Sequence, residues 1–142
     1  MPGRPPIVAV VDDEDDVRLS LQRLLRSAGF EVLVYASGTE FLRHVTESSP
    51  DCVVLDMHMP RLTGLDVQAA LRTRALDVPV VILTGNETAE MRAAAFAAGV
   101  VDYLAKPVDD DVLIGAIVTA LHHHGLRRRP EAPDPDTRRG DA

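Results

Sequence analysis

Apolar and polar positions along the chain fall into two alternating kinds of segment. Short runs dominated by Val, Ile and Leu occur at Ile7–Val11, Glu31–Tyr35, Cys52–Leu55, Val78–Leu83 and Val101–Leu104, each bounded by turn residues. Their length and β-branched content predict buried strands. A segment of helical period follows each one. Val17, Leu21, Leu24, Leu25 and Ala28 share one face of the first, with Gly29 as its C-cap, and Ser37-Gly-Thr-Glu40 opens the second as a capping box. The third is expected over Gly64–Arg72 and the fourth over Thr88–Ala98, before Gly99. The fifth runs from Asp109 through Val112, Leu113, Ala116, Ile117, Ala120 and Leu121. Pro50, Pro60, Pro79 and Pro107 stand where an apolar stretch begins or ends, as residues that break helices and withhold a ladder donor should. Five strand–helix units in succession predict a doubly wound α/β fold, a parallel sheet covered on both faces.

Composition narrows this to one core. The chain has 142 residues, 46% apolar and 26% charged, the size and balance of a single globular domain. Six of the ten prolines lie at the ends, at positions 2, 5, 6, 130, 133 and 135. The ordered domain is therefore expected over residues 7–125, between a disordered N-terminus (1–6) and a disordered Arg/Pro-rich tail (126–142). The longest run without a polar side chain, Ala93–Val101, is nine residues, about half of what a bilayer-spanning helix needs. The opening residues lack the apolar stretch and cleavage site of a secretory signal. A cytoplasmic protein without a membrane partner is the expectation.

Charge excludes a further class. The net charge is -7, and residues 1–125 alone carry ten basic against 18 acidic residues, or -8, so the folded body should repel nucleic acid. The single cysteine, Cys52, is flanked by Val53 and Val54 and reads as a buried small hydrophobe. Of the 15 basic residues 14 are Arg, and Lys106 is the one Lys.

Ligands of open parallel sheets bind beyond the carboxyl ends of the strands, where strand order reverses. Just past each run stand Asp12 and Asp13, Asp56, Thr84 and Lys106, while the second run ends in Tyr35-Ala36-Ser37 with no charge. In the flavodoxin-like strand order 2-1-3-4-5 these residues converge. Two carboxylates ~5 Å apart repel by about 3 kcal/mol at an effective dielectric of 20, so three of them call for a cation. All-oxygen ligands favour Mg²⁺, which takes one or two carboxylates, keeps several waters and accepts a phosphate oxygen. A carboxylate aimed at a phosphate between such a metal and an ammonium can attack it and form an acyl phosphate. Asp56, ending the central strand, is the candidate nucleophile.

Val11-Asp12-Asp13-Glu14, Leu55-Asp56-Met57-His58-Met59-Pro60 with Gly64, Leu83-Thr84-Gly85 and Tyr103-Leu104-Ala105-Lys106-Pro107 together resemble the response-regulator receiver domain of two-component signalling, over roughly residues 7–123. In detail they look most like the receivers of nitrogen-fixation-type regulators. The resemblance implies phosphotransfer to Asp56 from a histidine kinase or phosphotransfer protein. It implies Mg²⁺ held by Asp13, Asp56 and the main-chain carbonyl of His58, with Asp12 acting through water. Lys106 and Thr84 are then catalytic, Thr84 and Tyr103 form a switch, Lys106-Pro107 is a cis peptide, and His58 and Asn86 tune the phosphoryl lifetime. The switch would work by Thr84 moving toward the phosphoryl oxygen and Tyr103 filling the vacated space. A downstream protein would bind the face of the fourth helix, fifth strand and fifth helix, and a homodimer on phosphorylation is a further outcome the family allows.

Plainer readings are kept where the residues favour them. Glu14, Asp15 and Asp16 suit a helix N-terminus. His122–His124 occupy successive positions that share no helical face and suit a helix C-terminus, and Arg127–Arg129 read as linker charges. Three functional classes compete. A stand-alone receiver is the leading one, catalysing only its own phosphorylation and dephosphorylation. The second is the truncated receiver of a DNA-binding transcriptional regulator, although the 17 residues after Gly125 are too few for a helix-turn-helix. The third, a haloacid-dehalogenase-like phosphohydrolase, would place a second Asp where His58 stands.

Overall fold

Each β-branched run becomes a strand in a computed structural model that describes residues 4–128, with side chains to His122. The strands are β1 (Ile7–Val11), β2 (Glu31–Tyr35), β3 (Cys52–Asp56), β4 (Val80–Thr84) and β5 (Asp102–Ala105). All pairings are parallel, in the order β2-β1-β3-β4-β5. Alternation along each strand divides the core in two. Val8, Val10, Val54, Val81 and Leu83 pack with Leu21 and Leu25 of α1 (Asp15–Ser27) and Leu113 and Ile117 of α5 (Asp110–Arg128). Ala9, Val11, Val53, Leu55 and Ile82 face the other way. There they meet Phe41 and Val45 of α2 (Gly38–Ser48), Val67 and Leu71 of α3 (Gly64–Thr73) and Ala95 of α4 (Ala89–Ala97). The expected doubly wound, flavodoxin-like fold is what forms.

Boundaries differ from expectation where local chemistry intervenes. β4 starts at Val80, not Val78, because Pro79 has no N–H for the ladder; its carbonyl accepts from Val53 N–H at 3.0 Å. β3 continues one residue further to Asp56, which pairs in register with Leu83. The C-cap of α1 is Ala28, and Gly29 is the residue after it, at φ +99°. Gly29 N–H donates to Arg26 O and Phe30 N–H to Leu25 O, the paired bonds of a Schellman motif. Ala75 fills the same place after α3 at φ +58°, with Ala75 N–H on Arg72 O and Leu76 N–H on Leu71 O. A side chain in that conformation costs roughly 1–2 kcal/mol that glycine would not incur.

The expected capping box of α2 is half formed. Ser37 Oγ accepts from Glu40 N–H, but Glu40 reaches past the cap and accepts from Ala36 N–H. The complete box opens α3, where Thr63 and Asp66 each accept the other's N–H. At the ends, the Pro6 carbonyl accepts from Glu31 N–H, so the hydrogen bonds between β1 and β2 reach one residue before Ile7. α5 runs to Arg128, past the expected boundary at Gly125: Leu and Arg favour helix, and one interior glycine costs only about 1 kcal/mol. The expectations for residues 1–3 and 129–142 lie outside the described residues.

Candidate functional site

The strand ends set the site. Asp12 and Asp13 follow β1 directly, and Asp56 closes β3, the neighbour of β1. Asp12 is 1% exposed and Asp56 5%, whereas Asp13 is open to solvent. One carboxylate oxygen from each of the three lies within 4.8 Å of the others. Lys106, just past β5, puts its Nζ 3.1 Å from Asp56 Oδ1, 3.2 Å from Asp12 Oδ2 and 4.0 Å from Glu14 Oε1. Its main chain is fixed by the Lys106 N–H donating to Thr84 O at 2.7 Å, and the Lys106–Pro107 peptide is cis.

The neighbouring elements hold these groups in place. Asp12 Oδ1 accepts from Glu14 N–H at 2.9 Å, and Arg18 Nη1 donates to Asp12 O at 2.7 Å. Gly64 starts α3 hard against the end of β3, its N–H donating to Met57 O, and a Cβ there would lie 3.1 Å from Asp56 O. Any side chain at position 64 would push α3 away from Asp56 or displace the aspartate itself.

Three carboxylates face one ammonium. Burial raises the Asp56 pKa above the ordinary carboxylate value and the charge of Asp12 adds to the rise, while the Lys106 hydrogen bond and charge work against it. Burial disfavours the Lys106 ammonium, but its hydrogen bond to Asp56 and the charge of Asp12 prevail, and its pKa lies above the ordinary lysine value. The excess negative charge and all-oxygen donors are the set a hard divalent cation takes. Asp13 provides the solvent-facing side by which it would enter.

Beside this cluster lies a second one. Thr84, at the end of β4, is fully buried, and its Oγ1 accepts from Asn86 N–H at 3.2 Å and stands 3.3 Å from His58 Nε2. His58 thus faces two ways, its N–H toward the Asp56 carboxylate and its exposed ring toward Thr84. Tyr103 lies on the same face of the sheet, pairing in register with Ile82. It is fully buried, and its hydroxyl has no hydrogen-bond partner among the described residues.

Other residues take the plainer roles. Glu14 is the N-cap of α1, and Asp15 and Asp16 lie in its first turn. Cys52 is buried in β3, and burial, with the nearby Asp51 charge, pushes its thiol pKa up to about 12. Arg92 stands out only in three dimensions. From α4 it donates to Tyr103 O at 2.9 Å, pairs with Glu87 at 3.1 Å and lies 5.1 Å over the Phe96 ring. An isolated Arg in an alanine-rich helix is the one signal of it in the sequence. Gln68 and Arg72 of α3 carry no such signal, and both donate to Ala98 O at the end of α4.

Comparison with known proteins agrees with this geometry. Residues 8–118 match the profile of the response regulator receiver domain. The transcriptional regulatory protein PrrA of Mycobacterium tuberculosis is 44% identical over 120 residues, or 84% of this chain and 52% of PrrA. Nodulation protein W of Bradyrhizobium diazoefficiens is 37% identical over 125 residues, 88% of this chain and 55% of that protein. The chain thus spans about half the length of the curated relatives it matches. A response regulator receiver domain protein from Clostridium thermocellum superposes with a TM-score of 0.81 at 35% identity, covering 86% of this chain and 98% of the other. The FixJ-N structure gives 0.79 at 33%, covering 85% and 97%.

Proposed function

This chain belongs to the response regulator receiver domain family, and from that premise we propose that it accepts one phosphoryl group on Asp56 and thereby changes its affinity for a partner. The observation that carries the reading is Asp56 itself, a buried carboxylate ending a central strand, 3.1 Å from the one lysine and gathered with Asp12 and Asp13. The donor is a phosphohistidine of a kinase or phosphotransfer protein. An Asp56 carboxylate oxygen attacks phosphorus, the O–P bond forms, and the N–P bond breaks with its electron pair returning to the donor imidazole. Lys106 favours the ionised carboxylate beforehand and then meets the charge on a phosphoryl oxygen. The Thr84 hydroxyl donates to another. Asp13, Asp56 and the His58 carbonyl, with Asp12 beside them, would hold Mg²⁺, which would supply the charge neutralisation that lets an anionic carboxylate approach an anionic phosphoryl group.

The chain turns over no external substrate in this reading. Its output runs through the face of α4, β5 and α5, where α4 buries only Ala95 completely and Phe96, Val112 and Val118 are exposed. Pairing with a second copy through that face would be one form of output. Among the described residues no helix is long and apolar enough to cross a membrane, which accords with a kinase partner met in the cytoplasm. Two outputs are compatible with the receiver chemistry. A stand-alone receiver acts on proteins and, at this charge, does not bind nucleic acid itself. The receiver of a DNA-binding transcriptional regulator is the second reading, favoured by the name and length of PrrA. The mass of the natural gene product and its binding to DNA separate the two.

The test is intact-mass analysis with acetyl phosphate, with and without Mg²⁺, for wild type and Asp56→Asn. One added phosphoryl group is expected on wild type with Mg²⁺ only. Equal labelling of Asp56→Asn, or labelling that needs no divalent cation, would overturn the reading.

A further inference from the structure

The contact between His58 and Thr84 joins two residues that the phosphoryl chemistry otherwise uses separately. A threonine hydroxyl has one hydrogen and two lone pairs. Asn86 N–H takes one lone pair of Thr84 Oγ1, and His58 Nε2 at 3.3 Å engages either the hydrogen or the second lone pair, according to the imidazole tautomer. Where Nε2 accepts, the one hydroxyl hydrogen is already engaged, and in either tautomer the contact fixes the rotamer of Thr84, so the hydroxyl must leave His58 to reach a new acceptor beside Asp56. The two ends of this contact differ in cost. Thr84 is fully buried, so its hydroxyl needs a partner, whereas the His58 ring is exposed and finds water as soon as it is released. Tyr103 is buried on the same face of the sheet, so the position of Thr84 is the element to follow from the exposed side.

We propose that the His58 imidazole is a positioning residue that holds Thr84 in its resting place, and that the phosphoryl group on Asp56 must displace it to gain the Thr84 hydroxyl. The chain thereby carries an internal competitor for its own switch threonine. The inference rests on Asp56 being the phosphoacceptor, and it assigns to the His58 side chain a restraining role distinct from the lining of a water path.

Two measurements test it. The first needs no phosphoryl group: the side-chain torsion of Thr84, read from methyl three-bond couplings by NMR, should show one rotamer in wild type, averaging in His58→Leu, and a single rotamer again in His58→Gln, whose amide can still reach. A single rotamer in His58→Leu would overturn the proposal. The second is the affinity for beryllofluoride with Mg²⁺. His58→Leu should bind it about three- to tenfold more tightly than wild type, the worth of one hydrogen bond. The gain should vanish in a Thr84→Ala background. Equal gains in both backgrounds would show that His58 acts on access and not through Thr84, and would overturn the proposal alone. Failure of wild type to bind beryllofluoride at all would overturn the phosphoacceptor reading, while the rotamer measurement would still decide whether His58 holds Thr84.

Discussion

The two ends of β3 pose one physical problem and solve it in opposite ways. Cys52 begins the strand and Asp56 ends it; both are buried, and burial raises the pKa of both. Around Cys52 lie apolar neighbours such as Val8, Val54 and Val81, no cation among the described residues offsets the cost of charge, and the thiol stays neutral. Around Asp56 lie an ammonium at 3.1 Å and two further carboxylates, and there the ammonium opposes the rise that burial causes. A buried nucleophile needs a counter-charge more than it needs accessibility. Concentrating anions to build a cation site makes that end of the strand costly, whereas the other end only stabilises.

The widest separation should appear in reactivity. A thiol at about 12 presents roughly 1,000-fold less thiolate at pH 8 than a free cysteine, so native Cys52 should react with iodoacetamide at least ~1,000-fold more slowly than a model thiol. Reaction that tracks global unfolding is the expected outcome, and rapid native labelling would erase the contrast. In stability, Leu55→Ala next to Asp56 should cost about 2–5 kcal/mol by denaturant titration, because Leu55 is fully buried. A loss under ~1 kcal/mol would mean that the core extends less far toward the site than its burial indicates.

At the charged end the sign should reverse. Asp56→Asn should stabilise the divalent-free protein by about 1 kcal/mol, since it removes one of three mutually repelling carboxylates, and the gain should shrink when Mg²⁺ is added. The Asp56 carboxyl is raised on folding, so its contribution is fully present below the unfolded value and is lost as pH rises through the folded one. The variant should accordingly flatten the fall in stability on the acid side of neutrality. Thermal melts from acid to neutral pH measure both effects; a destabilised Asp56→Asn would show that the Lys106 contact outweighs the repulsion.

Alkaline pH sharpens the comparison from the other side. The thiol is ordinary near 9 and about 12 when folded, so its contribution is whole below ~9 and declines as pH rises toward 12. Lys106, also raised, loses its contribution at the alkaline extreme. Cys52→Ala should leave only the lysine part, visible as a shallower alkaline limb in the melts. The smallest effect is local: Ala75→Gly relieves the positive φ after α3 and should add about 0.5–1 kcal/mol, without altering either end of β3.

The asymmetry of β3 is largely legible in the amino-acid sequence. Short runs dominated by apolar residues locate all five strands, and the rule that ligands sit beyond the carboxyl ends of parallel strands gathers Asp12, Asp13, Asp56, Thr84 and Lys106 from positions far apart in the chain. Contacts that depend on side-chain torsions are not legible in this way. The His58–Thr84 contact joins a loop residue to a strand end 26 residues away and has no periodicity to announce it. A tyrosine in a short edge strand can turn inward or outward, so pattern alone does not reveal the burial of Tyr103 or its orphan hydroxyl. The Thr63–Asp66 box is hidden because its acid is Asp, not the usual Glu or Gln, and Glu40 matches the pattern yet bonds one residue further back.

Strand order also governs the sequence in which this molecule assembles. β1 lies between β2 and β3, both of which are complete by Asp56. A chain emerging from the ribosome can therefore close its first three strands from local crossovers, before β4 and β5 have both emerged. In such a half-built sheet Asp12, Asp13 and Asp56 would already be brought together, while Lys106, fifty residues further along the chain, would not yet be in place. The acidic half of the site is a burden the nascent N-terminal half carries uncompensated. Docking of the last two βα units delivers the ammonium, so completion of the sheet and neutralisation of the site are a single event in the life of the chain.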